Sequence, residues 1–263
     1  MRALQTAATG MAAQELNVQT ISNNIANLRT TGFKRQQVQF QDLLYDNLKR
    51  AGSSTSDQGT TMPAGLSIGS GVKTVSTPRD MSQGNLNSTG KPYDVAIRGE
   101  GYYKIRMPNG SAAYTRDGSF SLDAQGQLVT QNGYQLEPGI TVPTTATSVT
   151  ISAQGLVQAT IPGQAAQQNL GSIQLSRFIN KTGLNSVGDN LFTETAASGQ
   201  AIDGVPGADG FGNLQQNYLE DANVNAVTEI SGLIAAQRAY EMNSKVITAA
   251  DQMLSSTSQM LRG

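Results

Sequence analysis

The stretch that decides the fold is residues 224–262, VNAVTEISGLIAAQRAYEMNSKVITAADQMLSSTSQMLR. Apolar side chains recur in it every seven residues, as in the stripe of a long α-helix, at Leu233, Tyr240, Ile247, Leu254 and Leu261. Asn223 or Asn225 is a suitable N-cap, and Glu229 then lies near the first turn, where the helix dipole favours an acidic side chain. The sequence therefore predicts a helix of roughly 55–60 Å.

A second helix is predicted at the other end of the chain, over residues 1–29. Its heptad positions are Leu4, Met11, Val18 and Ile25, and a second line contains Ala7, Ile21 and Leu28. Gly10 costs about 1 kcal/mol relative to alanine inside a helix, which indicates close packing at that point. Gly32 is a suitable residue to end the segment, because glycine readily adopts the left-handed backbone that follows many helices.

The length of the two predicted helices indicates that they need partners. Helices of roughly 40 Å and 55–60 Å extend beyond a small domain, which is about 30 Å across. Their apolar stripes can pack against each other, against a neighbouring copy of the chain, or both. The alternative is a two-helix stalk on a monomer, but such a stalk leaves much apolar surface in water.

Residues 33–71 are predicted to be a linker with an extended insertion. Within it, Leu43, Leu44 and Leu48 predict a short helix, and residues 49–71 are rich in Ser, Thr and Gly. This stretch is either a plain linker or an extension that lies against neighbouring subunits. On the second interpretation the contact residues are Ser53, Ser54, Thr55, Met62, Pro63 and Leu66.

The centre of the chain, residues 72–218, is predicted to be one all-β domain. Short alternating segments are separated by turn signals such as Pro108-Asn109-Gly110 and Asn132-Gly133. The predicted fold class is therefore α+β, with long N- and C-terminal helices paired as a coiled-coil-like stalk. On this prediction, residues 1–32 and 219–263 form a terminal helical assembly domain.

Composition excludes several classes of function. The net charge is −1 and no Lys/Arg cluster is present, so a nucleic-acid partner is not expected. Without cysteine or histidine, disulfides, Cys/His metal sites and catalytic triads built on these residues are impossible. The sequence shows neither a membrane-spanning run nor a cleavable signal peptide, so we expect no membrane insertion.

Catalysis is not expected either. Glu100 and Asp117 could be imagined as a glycosidase carboxylate pair, which would suggest a peptidoglycan hydrolase or binder. Both lie near turns, however, where capping and solvation explain an acidic side chain better. We therefore predict a protein that is not an enzyme, with no catalytic residues, no metal and no cofactor.

Motifs at both ends resemble the flagellar rod and hook family. Residues 22–35, SNNIANLRTTGFKR, are similar to its N-terminal signature at Ser22, Asn24, Ala26, Asn27, Thr30, Gly32, Phe33 and Lys34. Residues 219–254 resemble its closing helix at Leu219, Glu220, Asn223, Val224, Asn225, Gln237, Arg238, Tyr240 and Glu241. The centre is similar through YDVAIRGEGYY and YTRDGSF, so the resemblance covers nearly the whole chain.

Within this family, the single β domain and the insertion at 49–71 are most similar to subunits of the distal rod. Hook subunits look longer and proximal-rod subunits lack the insertion, but both stay open as alternatives. The resemblance implies a structural subunit that polymerises into a rigid hollow shaft and transmits torque from motor to hook. It implies the flagellar basal body, spanning the periplasm, as location, and export through the flagellar apparatus without a cleaved signal.

The resemblance also implies partners and an interface. The partners are further copies of the chain, proximal-rod and hook subunits, the surrounding L/P-ring bushing and the flagellar export apparatus. The expected assembly interface comprises Leu4, Met11, Val18, Ile21, Ile25, Asn27, Gly32, Phe33, Leu233, Tyr240, Ile247, Leu254 and Leu261.

Overall fold

A computed structural model describes residues 2–52, 63–163 and 166–260 and shows an α+β protein. The chain divides into two compact units. Residues 1–25, 36–78 and 225–263 form the first, here the helical unit. Residues 26–35 and 79–224 form the second, here the β unit. The predicted order of an N-terminal helix, a β-rich centre and a C-terminal helix is confirmed.

The helical unit contains both long helices, α1 (Arg2–Ala26) and α2 (Ala226–Met260). Helix α2 begins at an N-cap, because Oδ1 of Asn225 accepts hydrogen bonds from the backbone N–H groups of Val227 (3.0 Å) and Thr228 (3.2 Å). Glu229 lies in the first turn, as predicted. Of the two candidate caps, Asn225 is therefore the one used.

The two helices contact each other in antiparallel order. A Cβ on Gly10 would lie 2.8 Å from Asn243 Nδ2, and one on Gly232 would lie 3.4 Å from Ile21 Cδ1. Nearer the other end, Asn24 Nδ2 donates to Glu229 Oε2 over 3.0 Å. The close approach indicated by Gly10 is thus present. Small and polar residues supply most of the buried positions, which are Ala7, Ala13, Thr20, Ile21 and Asn24 in α1 and Glu229, Ala236 and Ala250 in α2.

Four strands of the helical unit form a two-stranded ribbon. Strands β1 (Gln39–Asp42) and β4 (Val72–Ser76) pair antiparallel, and β2 (Tyr45–Lys49) pairs with β3 (Leu66–Gly69) in the same sense. The short helix predicted at Leu43, Leu44 and Leu48 is wrong, because Leu48 lies in strand β2. All five side chains of Tyr45–Lys49 are exposed, so this strand has water on both faces.

The β unit contains sixteen strands within the described residues. They are β5 (Leu86–Ser88), β6 (Val95–Arg98), β7 (Tyr102–Arg106), β8 (Ala112–Thr115), β9 (Ser121–Leu122), β10 (Leu128–Val129), β11 (Gln135–Glu137), β12 (Ser148–Ile151), β13 (Leu156–Thr160), β14 (Gln168–Ser172), β15 (Leu175–Arg177), β16 (Asn185–Gly188), β17 (Leu191–Thr193), β18 (Ile202–Gly204), β19 (Asn213–Gln216) and β20 (Tyr218–Glu220). A short 3₁₀ helix covers Lys181–Gly183.

Antiparallel pairing joins these strands. The largest sheet has nine strands in the order β16-β17-β8-β7-β11-β10-β9, with β15 also on β7 and β18 on β15. A three-stranded sheet has the order β12-β13-β14, and β19 pairs with β6 and β20 with β5. The dense turn signals of the sequence are thus explained by many short strands.

Two apolar clusters stabilise the β unit. The larger includes Val95, Ile97, Tyr103 and Ile105, all fully buried. Buried Tyr103 keeps its hydroxyl satisfied by donating to the carbonyl of Val95 over 2.7 Å. The smaller cluster is aromatic, with Tyr102, Tyr114, Phe178 and Phe192 in edge-to-face contacts.

Candidate assembly surfaces

Helix α2 carries large apolar side chains on its exposed surface. Val227 is 75% exposed and Met253 is 64% exposed. The whole set is Val227, Ile230, Ile234, Tyr240, Met242, Val246, Met253, Leu254 and Met260. Exposed apolar surface of this extent is typical of a site where another macromolecule binds.

The predicted stripes lie partly at the contact between the helices and partly outside it. In α1, Ile21 is buried and Leu4, Met11, Val18 and Ile25 are half-buried. In α2, Leu233 and Ile247 are half-buried, Tyr240 and Leu254 are exposed, and Leu261 lies outside the described residues. Contacts between copies are not tested by a single chain, so the role of these residues in assembly stays a prediction.

The most buried line of α2 was missed from the sequence. Glu229, Ala236 and Ala250 are buried, and Asn243, seven residues from two of them, is half-buried. Apolar periodicity does not detect such a line, because its members are small or polar. Its signal is the seven-residue spacing of small and hydrogen-bonding residues, which lets two helices approach closely.

A groove of about 440 Å³ runs along the helices of the helical unit. It is lined by Glu15, Val18, Gln19, Gln237, Tyr240 and Glu241. Val18 and Tyr240 from the expected interface therefore share this groove, flanked by two acidic side chains. The groove is open to solvent and can accept a side chain or helix edge from another molecule.

The ribbon is exposed along most of its length, with Leu43 and Val72 half-buried. Side chains of β1 and β2 are all exposed, and Leu44 is 87% exposed. Among the predicted insertion contacts, Pro63 and Leu66 are exposed, whereas Ser53, Ser54, Thr55 and Met62 lie outside the described residues. An ion pair of 2.6 Å joins Arg2 of α1 to Asp46 of β2. Since an isolated two-stranded hairpin is marginally stable in water, this ribbon needs further support.

Residues 26–35 of the signature segment have a different environment, inside the β unit. Gly32 has φ of +68°, and its N–H donates to the carbonyl of Glu220 over 2.8 Å. A Cβ there would lie 2.9 Å from the backbone carbon of Arg116, so both the φ and the space require glycine. Phe33 is buried, with the Arg79 guanidinium 5.9 Å from its ring centroid. Asn27, half-buried, accepts a hydrogen bond from the Thr30 hydroxyl over 3.1 Å.

Beside this segment lies a buried charged cluster, here the clasp, formed by Lys34, Arg116 and Glu220. Lys34 Nζ stands 2.6 Å from Glu220 Oε1, and their side chains are 1% and 0% exposed. Glu220 Oε2 has no hydrogen bond of good geometry among the described residues, but Arg116 Nε lies 3.0 Å away as an ion-pair partner. Burial lowers the pKa of Lys34, and the Glu220 carboxylate opposes that effect.

The carboxylates considered for catalysis each have their own partner. Glu100 forms an ion pair with Lys181. Asp117 accepts a hydrogen bond from the Ser119 hydroxyl over 2.7 Å, and burial raises its pKa. Among the residues that the structure describes, no group of three or more acidic side chains is placed to hold a metal ion. No helix in the described ranges is long and apolar enough to cross a membrane.

Comparisons with known proteins agree along the whole chain. Three family descriptions match: "Flagella basal body rod protein" over residues 4–34, "Flagellar hook protein FlgE/F/G D1 domain" over 96–159, and "Flagellar basal body rod FlgEFG protein C-terminal" over 215–260. The flagellar basal-body rod protein FlgG of Caulobacter vibrioides is 57% identical, with 99% of each chain covered. FlgG of Borreliella burgdorferi is 47% identical over 100% of this chain and 99% of its own, and FlgG of Bacillus subtilis is 36% identical over 97% of both.

These matches confirm the resemblance to the rod and hook family, most like its distal-rod members, and the prediction of a structural rod subunit. The chain therefore belongs to the flagellar basal-body rod protein family.

Proposed function

We propose that this distal-rod subunit polymerises through its terminal helices into a rigid hollow shaft that transmits torque from the motor to the hook. The observation that carries the proposal is the exposed apolar surface of α2, in a chain whose relatives are rod proteins. Contacts between α1 and α2 support a coiled-coil-like stalk within each copy. Neighbouring copies then cover the apolar side chains of α2 that the stalk leaves exposed.

Three residues of α2 make this interface testable. Val246, Met253 and Met260 are exposed and spaced by seven, so they form one line along the helix. A line with heptad spacing suits packing against another helix. This line lies next to the buried line that runs from Ala236 to Ala250, three or four residues away along the helix, so a neighbouring copy would widen the face of α2 on which α1 packs.

The test is assembly of purified full-length chain with one charge placed on or off that line. Met253→Asp is expected to stop polymerisation, because it places a carboxylate in an apolar contact. Gln252→Asp, on the next exposed position, is the matched control and should polymerise normally. Electron microscopy of concentrated samples should show straight tubes for the control and monomers for Met253→Asp and for a chain without residues 1–29 and 224–263. Equal assembly of Met253→Asp and the control would contradict the proposed interface.

The insertion at 49–71 is proposed to stiffen the polymer. The ribbon of β2 and β3 supports this role, since Leu48, Leu66 and Ile68 are each 42–51% exposed and would gain apolar cover from neighbouring subunits. Deleting 49–71 should give a polymer that still forms but curves. Straight tubes from the deleted chain would contradict the stiffening role.

Location and neighbours follow from the same proposal. The shaft spans the periplasm between proximal-rod and hook subunits, inside the L/P-ring bushing. The subunit reaches this place through the flagellar export apparatus without a cleaved signal. Its weakly charged surface, with 14% charged residues, suits rotation inside a bushing because it offers few strong ionic contacts.

We also propose that the protein is not an enzyme. Ion pairing of Glu100 with Lys181 and hydrogen bonding of Asp117 to Ser119 support a structural role for both carboxylates. Glu100→Ala and Asp117→Ala should therefore polymerise as the original chain does, and neither the original nor the variants should cleave peptidoglycan. Release of soluble fragments by the original chain but not by the variants would favour a hydrolase.

A further inference from the structure

The chain passes between its two compact units at four positions. These follow residues 25, 35, 78 and 224. On the side of the β unit, the four passages belong to three segments, which are residues 26–35, residues from 79 onward and residues up to 224. Residues of the clasp and their hydrogen-bond partners lie in all three segments.

Glu220 joins the three segments through one side chain and one carbonyl. Its Oε1 accepts from Lys34 Nζ over 2.6 Å and from the N–H of Gly84 over 2.9 Å. Its backbone carbonyl accepts from the N–H of Gly32 over 2.8 Å. Lys34 Nζ also donates to the carbonyl of Ser82 over 2.7 Å. One residue near the end of the β unit therefore binds both the signature segment and the segment that follows residue 78.

Asn223 repeats the arrangement three residues later. Its Oδ1 accepts from the N–H of Arg35 over 2.7 Å, and its Nδ2 donates to the carbonyl of Asp80 over 2.8 Å. Between those two segments, the N–H of Asp80 donates to the carbonyl of Arg35 over 2.8 Å. The side chain of Asn223 and the backbones of Arg35 and Asp80 thus form a closed ring of hydrogen bonds that joins the same three segments.

The charges make this junction sensitive to loss of one member. Two buried cations, Lys34 and Arg116, share the single carboxylate of Glu220. Arg116 Nη1 also donates to the carbonyls of Gly99 (2.8 Å) and Gly101 (2.7 Å). Removing the carboxylate leaves two buried cations without a counter-charge, a change that strongly destabilises a folded protein.

We propose that the clasp is an intrachain joint, formed in the unassembled subunit, that holds all four chain passages together. Every contact described for it is made within the β unit of one chain, and its side chains are too buried to reach another copy. The signature residues Gly32 and Phe33 then act inside the subunit rather than at a contact between copies. In the rod proposed above, load enters the β unit through three tied segments instead of one.

Hydrogen exchange on dilute, monomeric full-length chain tests the joint without requiring assembly. In the original chain, the amides of Gly32, Asp80 and Gly84 should be protected. Two variants break the charge pairing: Glu220→Gln keeps an oxygen acceptor but removes the negative charge, and Lys34→Met removes a positive charge. Each should increase hydrogen exchange at these amides on the order of 100-fold. Lys104→Met is the matched control, because Lys104 pairs with Asp203 (3.2 Å) in a partly exposed site, and it should leave these amides unchanged.

Each outcome decides the proposal. Amides of Gly32 and Gly84 that exchange freely in the monomer and become protected only in the polymer would overturn it, because the joint would then be a product of assembly. Equal exchange in Glu220→Gln, Lys104→Met and the original chain would also overturn it. If Lys34→Met does not fold, the comparison of exchange rates between Glu220→Gln and the original chain still tests the proposal. A failure of the rod to form leaves the monomer result intact, so the two proposals fail separately.

Discussion

In the β unit, Val95, Ile97 and Ile105 are fully buried among other strands of the same unit, whereas in the helical unit Val227 and Met253 of α2 lie mostly in water. Buried apolar area is the main favourable contribution to folding, so the β unit has its own source of stability. The helical unit has a narrow line of small residues instead. We therefore expect the β unit to fold within the monomer and the helical unit, on the proposed assembly, to gain much of its stability from neighbouring copies.

Alkali is expected to have the largest effect, and it acts on the β unit. Burial raises the pKa of Tyr102 and Tyr114 from 10.0 to about 12, and that of Tyr103 well above 10.0. Since the folded-state pKa is the higher one, the unfolded chain loses these protons first, and stability is lost as pH rises above 10. For Tyr102 alone the loss approaches roughly 2–3 kcal/mol near pH 12.

Urea unfolding from about pH 8 to about pH 12 measures this loss. Phenolate absorbance reports the tyrosines directly, because the chain contains no tryptophan. Burial lowers the pKa of Lys34, so this residue acts in the opposite sense, with stability rising toward pH 10.5. Tyr102→Phe should flatten the decline. Unfolding midpoints that stay constant up to about pH 12 would show that these rings are accessible to hydroxide.

The same substitution made in both regions gives the next largest contrast. Leu136→Ala removes a side chain that is 1% exposed in the β unit and should lower the free energy of unfolding by about 2–5 kcal/mol. Leu254→Ala removes one that is 49% exposed on α2 and should change monomer stability by less than about 1 kcal/mol. Thermal unfolding of the two variants measures both. Similar losses would mean that α2 is packed in the monomer after all.

Two glycines separate backbone conformation from packing. Gly32→Ala meets both a φ of +68° and the backbone of Arg116, and should cost about 2–3 kcal/mol. Gly110→Ala, with φ of +81° and nothing within 4 Å of the new Cβ, should cost about 1 kcal/mol. Chemical denaturation of both variants gives the difference, which is the contribution of close packing at the signature. Equal costs would show that the Arg116 backbone moves away easily.

The comparison also explains what the sequence could and could not predict. Heptad spacing predicted both helices, because the apolar side chains of each helix recur every seven residues in the sequence. This regularity, seen at Leu233 and Ile247, does not depend on which partner packs against the helix. The same spacing did not show which line of α2 is the most buried, which contains Ala236 and Ala250. Apolar periodicity records side-chain size and polarity, but close helix approach depends on small residues.

The clasp could not be predicted from spacing. Lys34 and Glu220 both stood out through the family resemblance, yet they are 186 residues apart and nothing local pairs them. Charged residues are usually exposed, so a buried carboxylate between two cations is an improbable expectation from sequence alone. The ribbon was missed for a related reason, since its strands pair across an insertion whose composition is typical of a loop.

The smallest expected effect is at the start of α2 and tests whether the two regions open independently. Asn225→Ala removes the acceptor for the N–H groups of Val227 and Thr228 and should cost about 1 kcal/mol of helix stability. Hydrogen exchange should rise about fivefold at those two amides, while the amide of Leu136 in the β unit stays unchanged. Asn225→Asp keeps an oxygen acceptor beside the positive end of the helix and should restore protection. If Asn225→Ala accelerates exchange equally at Leu136, the two units unfold as one cooperative body, and the stability of α2 then comes from the monomer rather than from neighbouring copies.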